Sequence, residues 1–208
     1  EGFVVWGNYT ATLGYAVSGA GYFDGDGLQD VLMGLPTYVG GTSLSGGTYV
    51  AFGRTQPVDE TLEHTRPVTG YLVKGVDPMR FLGRSLAAGD FDADGWSDTA
   101  VAGDYLSERV FLEFGNDVVL GNDLVFSRTL NGVCGDRDLH KTHAFCLEHS
   151  EWSMLSPTVA GDFNGDGIDD VYISSPNLPL PGGGAYVVLG WDIRDRAQTR
   201  HLVHAGGI

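Results

Sequence analysis

Three acidic loops contain the side chains with the clearest capacity for chemistry. Each loop places carboxylate or amide oxygens at alternate positions of a nine-residue stretch that also contains glycine. Oxygen ligands that converge in a tight turn suit Ca²⁺, which takes about six to eight of them. The pattern therefore predicts calcium sites, and no other cofactor.

The predicted ligands stand at positions 1, 3, 5, 7 and 9, and position 7 offers its backbone carbonyl. In the second loop they are Asp90, Asp92, Asp94, Trp96 and Asp98. In the third loop they are Asp162, Asn164, Asp166, Ile168 and Asp170. In the first loop they are Asp24, Asp26, Leu28 and Asp30. Because Tyr22 stands at position 1 of the first loop, we expect two calcium sites and a third, weaker one.

Other interpretations of the loops differ in what they require. An EF-hand needs a bidentate Glu at position 12, where the second and third loops have Val101 and Ile173. Acidic turns without metal would leave closely spaced carboxylates repelling one another. We expect a structural ion, since the loop ligands leave little coordination open for catalysis.

The loops belong to a repeat that organises the whole chain. Their leading glycines are Gly21, Gly89 and Gly161, which gives spacings of 68 and 72 residues. After each loop comes an apolar strand that closes in glycine: Thr48–Gly53, Val110–Gly115 and Ala185–Gly190. Further candidate strands, predicted as the outer strands of the units, are Gly70–Gly75, Val125–Gly132 and His201–Gly206.

The repeat predicts an all-β chain of about three four-stranded β-propeller blades. The 32 glycines among 208 residues favour short strands and tight turns over helices. We expect one propeller region with units at about 13–80, 81–152 and 153–208, and with residues 1–12 as a strand shared with a preceding blade. A β-sandwich with coincidental turns is the alternative. Because propellers typically have four to eight blades, we expect further blades or copies of the chain to cover the open arc.

The repeat resembles the FG-GAP repeat of integrin α-subunit propellers. The resemblance rests on Leu13-Gly14 and Leu82-Gly83, on the D-x-[DN]-x-D-G-x-x-D loops, and on Gly34-Leu35-Pro36. It covers essentially the whole chain, although Met154-Leu155 replaces the Phe-Gly start of the third unit. It implies an integrin α-like propeller.

Charge and hydropathy exclude several classes of partner. The net charge of −15 argues against nucleic acid, which requires clustered Lys and Arg. No apolar run reaches the roughly 20 residues that span a bilayer, so direct membrane insertion is not expected. The calcium loops indicate an extracellular, secreted or cell-surface location.

The cysteines and the sugar sequon fit that location. An oxidising exterior favours a disulfide between Cys134 and Cys146, and two reduced, buried thiols are the alternative. Asn8 begins an N-glycosylation sequon. The nearby histidines and Glu148 have no tight metal spacing, so surface histidines are favoured over a zinc site.

Three functional hypotheses remain open. The first is an extracellular calcium-stabilised propeller segment in adhesion, matrix or surface assembly, with protein or glycan ligands. The second is a lectin-like propeller in which Trp6, Trp152 or Trp191 stacks on sugars. The third is an accessory propeller of a polysaccharide- or lipid-active enzyme. No catalytic motif is found, so we do not expect an enzyme in this chain.

Overall fold

The structure of the chain is a computed structural model. The residues that it describes are 2–7, 11–39, 44–56, 58–62, 70–75, 81–103, 109–115, 125–130, 144–148, 155–176, 183–190 and 200–201.

Fifteen strands make up the regular structure of the described residues. They are β1 (Val5–Trp6), β2 (Val17–Gly21), β3 (Asp30–Gly34), β4 (Gly47–Ala51), β5 (Glu60–Thr61), β6 (Gly70–Gly75), β7 (Ser85–Gly89), β8 (Asp98–Ala102), β9 (Arg109–Glu113), β10 (Val125–Leu130), β11 (Ala144–Glu148), β12 (Ser156–Gly161), β13 (Asp170–Ser175), β14 (Gly184–Val188) and β15 (Arg200–His201). The prediction of an all-β chain built from blade-like sheets is confirmed.

Three antiparallel sheets repeat the same order and form three blades. Blade 1 consists of β2, β3, β4 and β6, and blade 2 consists of β7, β8, β9 and β11. The described part of blade 3 consists of β12, β13 and β14. In each blade an acidic loop joins the first strand to the second, so the three loops lie at equivalent places.

The outer strand of blade 2 differs from the expectation. Val125–Gly132 was predicted to be that strand, but β10 pairs in parallel with β6 of blade 1. The strand that pairs with β9 in blade 2 is instead β11. Likewise, β15 pairs in parallel with β11 of blade 2. Alternating apolar residues predict a strand, but they do not identify its long-range partner.

The parallel pairings follow one rule. β5 lies between the third and fourth strands of blade 1, and β10 lies between those of blade 2. Each of them leaves its own blade and pairs in parallel with an earlier strand, β1 and β6 respectively. Through β10, and likewise through β15, the outer edge of one blade is covered by the following unit, which protects an otherwise open edge.

Apolar layers fill the spaces between the blades. The layer between blades 1 and 2 contains Ala20, Phe23, Leu32, Val50, Tyr71, Val73, Leu82, Val101 and Phe111. The layer between blades 2 and 3 contains Ala87, Phe91, Ala100, Ala102, Val110, Leu112, Phe114, Leu155, Val171 and Ile173. Since both faces of blade 2 are covered, β8 is buried along its whole length. This explains why its sequence is small and apolar without a clear polar alternation.

Candidate metal centre

The acidic loops share one backbone conformation. We number each loop from position 1 to position 9: residues 22–30 are the first loop, 90–98 the second and 162–170 the third. Positive φ angles occur at position 4, in Gly25, Ala93 and Gly165. They occur again at position 6, in Gly27, Gly95 and Gly167. Two left-handed residues so close together fold the loop back on itself.

Side chains of the second loop hold its backbone through a series of short turns. The Asp94 N–H lies 3.2 Å from Asp92 Oδ1, and the Trp96 N–H lies 2.9 Å from Asp94 Oδ1. Asp90 spans the loop, because its two carboxylate oxygens accept the N–H groups of Asp94 and Gly95. These Asx turns bring alternate side chains to the same side of the loop.

The third loop is built in the same way. Asp162 Oδ1 accepts the N–H groups of Gly165 and Asp166, and Asp162 Oδ2 accepts that of Gly167 at 2.8 Å. Asn164 takes the place of the second carboxylate: its Oδ1 accepts the Asp166 N–H, and its amide donates to Asp166 Oδ2 at 2.8 Å. The Ile168 N–H donates to Asp166 Oδ1.

The first loop lacks the carboxylate that spans the other two. Tyr22 is at position 1, and its side chain is exposed. The turns at positions 3 and 5 persist, because Asp24 accepts the Asp26 N–H and Asp26 accepts the Leu28 N–H. The loop conformation therefore does not require a carboxylate at position 1, although the set of possible ligands changes without it.

The aspartate at position 9 anchors each loop to its blade. Asp98 is fully buried, and its two oxygens accept the N–H groups of Phe91 at 2.9 Å and Gly115 at 3.0 Å. Asp30 accepts the equivalent bonds from Phe23 and Gly53, and Asp170 accepts them from Phe163 and Gly190. The glycine that closes the third strand is thus bound to the acidic loop, a role that the sequence pattern did not predict.

Burial makes the charged forms of these carboxylates costly. Burial raises the pKa of Asp98 to about 8, and the negative charges of Asp92 and Asp94 add to the shift, while the N–H groups of Gly115 and Phe91 oppose it. Burial likewise raises the pKa of Asp30 to about 6, and Asp24 adds to that shift. The pKa values of Asp90 and Asp24 are also raised, mainly by burial. A bound cation would offset these costs.

The second loop brings three carboxylates together. One oxygen each from Asp90, Asp92 and Asp98 lies within 4.8 Å of the others. Among the described residues this is the one such group of three acidic, histidine or cysteine side chains; Asp94 is not part of it, nor are the first and third loops. Convergent carboxylate oxygens are the ligands that hard divalent cations prefer.

Consecutive loops are also bonded to each other through position 8, which the sequence did not predict. Ser97 Oγ accepts the Tyr22 N–H at 3.1 Å, and the Ser97 N–H donates to the Tyr22 carbonyl at 3.4 Å. One junction further on, Asp169 Oδ2 accepts the Asp90 N–H at 3.0 Å, and the Asp169 N–H donates to the Asp90 carbonyl at 3.1 Å. Position 8 of one loop therefore binds both peptide groups of position 1 in the loop before it.

Several predicted features lie outside the described residues. Asn8, Cys134, Trp152 and Trp191 belong to segments that are not described, as do His140, His143 and His149; of Cys146 and Glu148 only the backbone is described. The disulfide and the glycosylation site therefore stay predictions. In the part of the chain that is described, no helix has the length and apolar character needed to cross a membrane.

Comparisons with known proteins agree with the repeat. Residues 156–189 match the FG-GAP repeat family, a span that holds the third loop and the three described strands of blade 3. Integrin alpha pat-2 of Caenorhabditis briggsae is 26% identical over 205 residues, which covers 94% of this chain and 15% of that protein. The chain thus corresponds to about one seventh of this relative's length.

Proposed function

We propose that this chain, an FG-GAP repeat protein similar to integrin α, is a calcium-binding segment of an extracellular β-propeller. The ion stabilises the blades, and the propeller serves adhesion or surface assembly through protein or glycan ligands. The observation that carries the proposal is the convergence of Asp90, Asp92 and Asp98 in the second loop. The family match at residues 156–189 and the similarity to an integrin α chain support it.

The donor set of the second loop fits Ca²⁺. Asp90, Asp92 and Asp98 supply converging oxygens, and the exposed Asp94 and the carbonyl of Trp96 complete the proposed set. Carboxylate oxygens already holding N–H groups keep a second lone pair for a cation. When bound, Ca²⁺ would neutralise the carboxylates and link the loop ends, so that its binding energy adds to folding energy.

The third and first loops are proposed as further calcium sites. The third loop offers Asp162, Asn164, Asp166, Asp170 and the Ile168 carbonyl. The first loop offers Asp24, Asp26, Asp30 and the Leu28 carbonyl. Because Tyr22 supplies no carboxylate at position 1, its affinity should be the lowest of the three.

Calorimetric titration of chelator-treated protein tests the proposal. We expect calcium binding with a stoichiometry of at least two and a melting temperature that rises with calcium concentration. The Asp92→Asn variant should lose one of the tight sites. An absence of calcium heat, together with a melting temperature indifferent to calcium, would contradict the proposal.

A glycan-binding propeller is the second candidate. Trp6 lies on β1 with 58% of its surface exposed. β1 pairs with β5, and Val58, in the segment that leads into β5, is also exposed. Exposed aromatic rings can stack on sugar rings. A glycan array separates the candidates: hits lost in Trp6→Ala would favour the lectin, whereas no hits at high protein concentration would disfavour it. An accessory role beside a catalytic domain has no supporting observation in the described residues.

The outward face of blade 3 is proposed to bind another blade. Phe23 and Phe91, at position 2 of the first and second loops, are fully buried under the next blade, but the equivalent Phe163 is 64% exposed. Phe163 stands edge-on to Tyr172, with ring centroids 5.9 Å apart. Since this face continues a contact that the chain forms twice, the expected partner is a further FG-GAP blade or a second copy of this chain.

A further inference from the structure

In the second and third acidic loops, the residue at position 8 is bonded to the backbone of position 1 in the loop before it. Asp169 of blade 3 receives the N–H of Asp90 and donates to the carbonyl of Asp90. The backbone N–H and carbonyl of Asp90 are thus both bonded to a residue of the neighbouring blade. The Asp90 side chain starts from this backbone, and its carboxylate accepts the N–H groups of Asp94 and Gly95.

The contact recurs, which argues against coincidence. Ser97 makes the same two bonds to Tyr22 at the junction between blades 1 and 2. A serine hydroxyl and an aspartate carboxylate thus have the same role, so the shared requirement is an acceptor oxygen close to Cβ. The requirement does not depend on a full negative charge.

Glycines make room for the contact at both junctions. A Cβ at Gly89 would lie 2.9 Å from Asp169 Oδ2, and a Cβ at Gly21 would overlap Ser97 Oγ. Gly89 does not have a left-handed φ, so its backbone conformation does not require glycine. A glycine is needed there because a side chain would collide with Asp169. The glycines before the first and second loops are therefore part of the same contact, whereas a Cβ at Gly161, before the third loop, would meet no atom within 4 Å.

We propose that Asp169 is a positioning residue for the cation site of the second loop. It belongs to a different blade from the ligands, and it acts through the backbone of Asp90 without binding the ion itself. The affinity of the second loop consequently depends on the docking of blade 3. This inference rests on the proposed calcium binding by Asp90, Asp92 and Asp98.

The reciprocal consequence links metal binding to the assembly of blades. If docking of blade 3 strengthens cation binding in the second loop, the cation must strengthen docking by the same factor. The ion then stabilises a junction between blades as well as a loop.

Terbium luminescence sensitised by Trp96 tests the inference. Tb³⁺ is the probe and calcium is the competitor. Because the Trp96 ring also lies against Gly25 of the first loop, the part of the signal that Asp92→Asn removes is the part that arises at the second loop. Asp169→Ala should weaken Tb³⁺ and calcium binding there by about tenfold, as expected for loss of an outer-shell partner. Asp169→Ser, which copies the other junction, should recover most of the affinity. Gln29→Ala is the matched control, since exposed Gln29 holds position 8 of the first loop, and it should change nothing.

The outcomes separate the inference from the proposed function. If Asp92→Asn removes no part of the signal of the unmodified chain, calcium binding by the second loop itself is contradicted. A normal signal with unchanged affinity in Asp169→Ala would overturn the positioning role alone. If Asp169→Ala does not fold, Asp169→Ser decides: near-normal affinity supports the role of the acceptor oxygen, and a tenfold loss in that folded variant overturns it.

Discussion

At the scale of single residues, a comparison of two loops distinguishes the role of a side chain in holding the backbone from its role as a cation ligand. Asp94 and Asp26 both stand at position 5, and each accepts the N–H of position 7, at 2.9 and 2.7 Å. Both are exposed. They therefore have the same backbone role, while the second loop alone brings three carboxylates together among the described residues.

This equivalence gives a matched pair of substitutions. In saturating calcium, Asp94→Ala should lower the melting temperature far more than Asp26→Ala, because a ligand is lost from the stronger site. In chelator the two variants should lose similar amounts, on the order of 1 kcal/mol for one hydrogen bond. Thermal unfolding followed by circular dichroism measures both. Equal losses in calcium would show that the second loop is not the stronger site.

Ala93 carries backbone strain that a glycine would remove. Its φ of +57° lies in the left-handed region, where the equivalent residues of the other loops are Gly25 and Gly165. Ala93→Gly should therefore stabilise the protein by about 0.5–1 kcal/mol. Chemical denaturation measures the change. Ala185→Gly, in an exposed strand position without positive φ, should destabilise instead, and a loss of stability in Ala93→Gly would contradict the strain.

The raised pKa of Asp98 predicts an unusual pH dependence of the calcium-free protein. The pKa of Asp98 is about 8 in the folded chain, whereas an aspartate in the unfolded chain has the ordinary pKa of 3.8. The folded state therefore binds more protons, and this contribution to stability is complete below about pH 4 and lost as pH rises through 8. In chelator the melting temperature should therefore fall as pH rises from about 4 to about 8. Saturating calcium should abolish or reverse the fall, because the ion binds the deprotonated form; a fall of equal size with calcium would contradict this.

At the scale of elements, the position-9 aspartate joins a loop to a strand end. Asp98 connects Phe91, at the start of the second loop, to Gly115, just after β9. Asp98→Ala would leave both N–H groups buried without this acceptor, and we expect a loss of about 3 kcal/mol. Asp92→Ala is the control, since Asp92 accepts the Asp94 N–H within the loop. In calcium-free urea unfolding, a loss for Asp98→Ala no greater than for Asp92→Ala would contradict the anchoring role.

The sequence predicted elements and loops well, and their partners poorly. Alternating oxygen ligands and recurring glycines are local signals, so the three loops and the strands beside them could be placed. The exchange of β10 onto β6 is a long-range pairing, and no local pattern encodes it. The roles of Asp98 as an anchor and of Asp169 as a bond between blades were missed for the same reason. Both depend on backbone groups that are identical in every residue.

At the scale of the whole molecule, the blades associate through one repeated contact. Phe23 fills the space between blades 1 and 2, and Phe91 fills the space between blades 2 and 3. Residues of the strands also occupy equivalent positions in the blades. Leu32 of β3, which lies in the layer between blades 1 and 2, is equivalent to Tyr172 of β13. The outward face of blade 3 thus offers the same surface for a third contact of this kind.

That surface predicts self-association of the isolated 208-residue chain. Phe163 is 64% exposed and Val187 is 43% exposed, and both occupy positions that the other blades bury. Covering such a patch is favourable by about 25 cal/mol per Å² of apolar area, so copies of the chain should associate as concentration rises. Phe163→Ser should shift light scattering toward the monomer without lowering the melting temperature. Phe23→Ser, at the same loop position but in a formed contact, should instead destabilise the fold by several kcal/mol. A monodisperse, calcium-stable monomer with a cooperative melt at high concentration would show that this face does not require a partner.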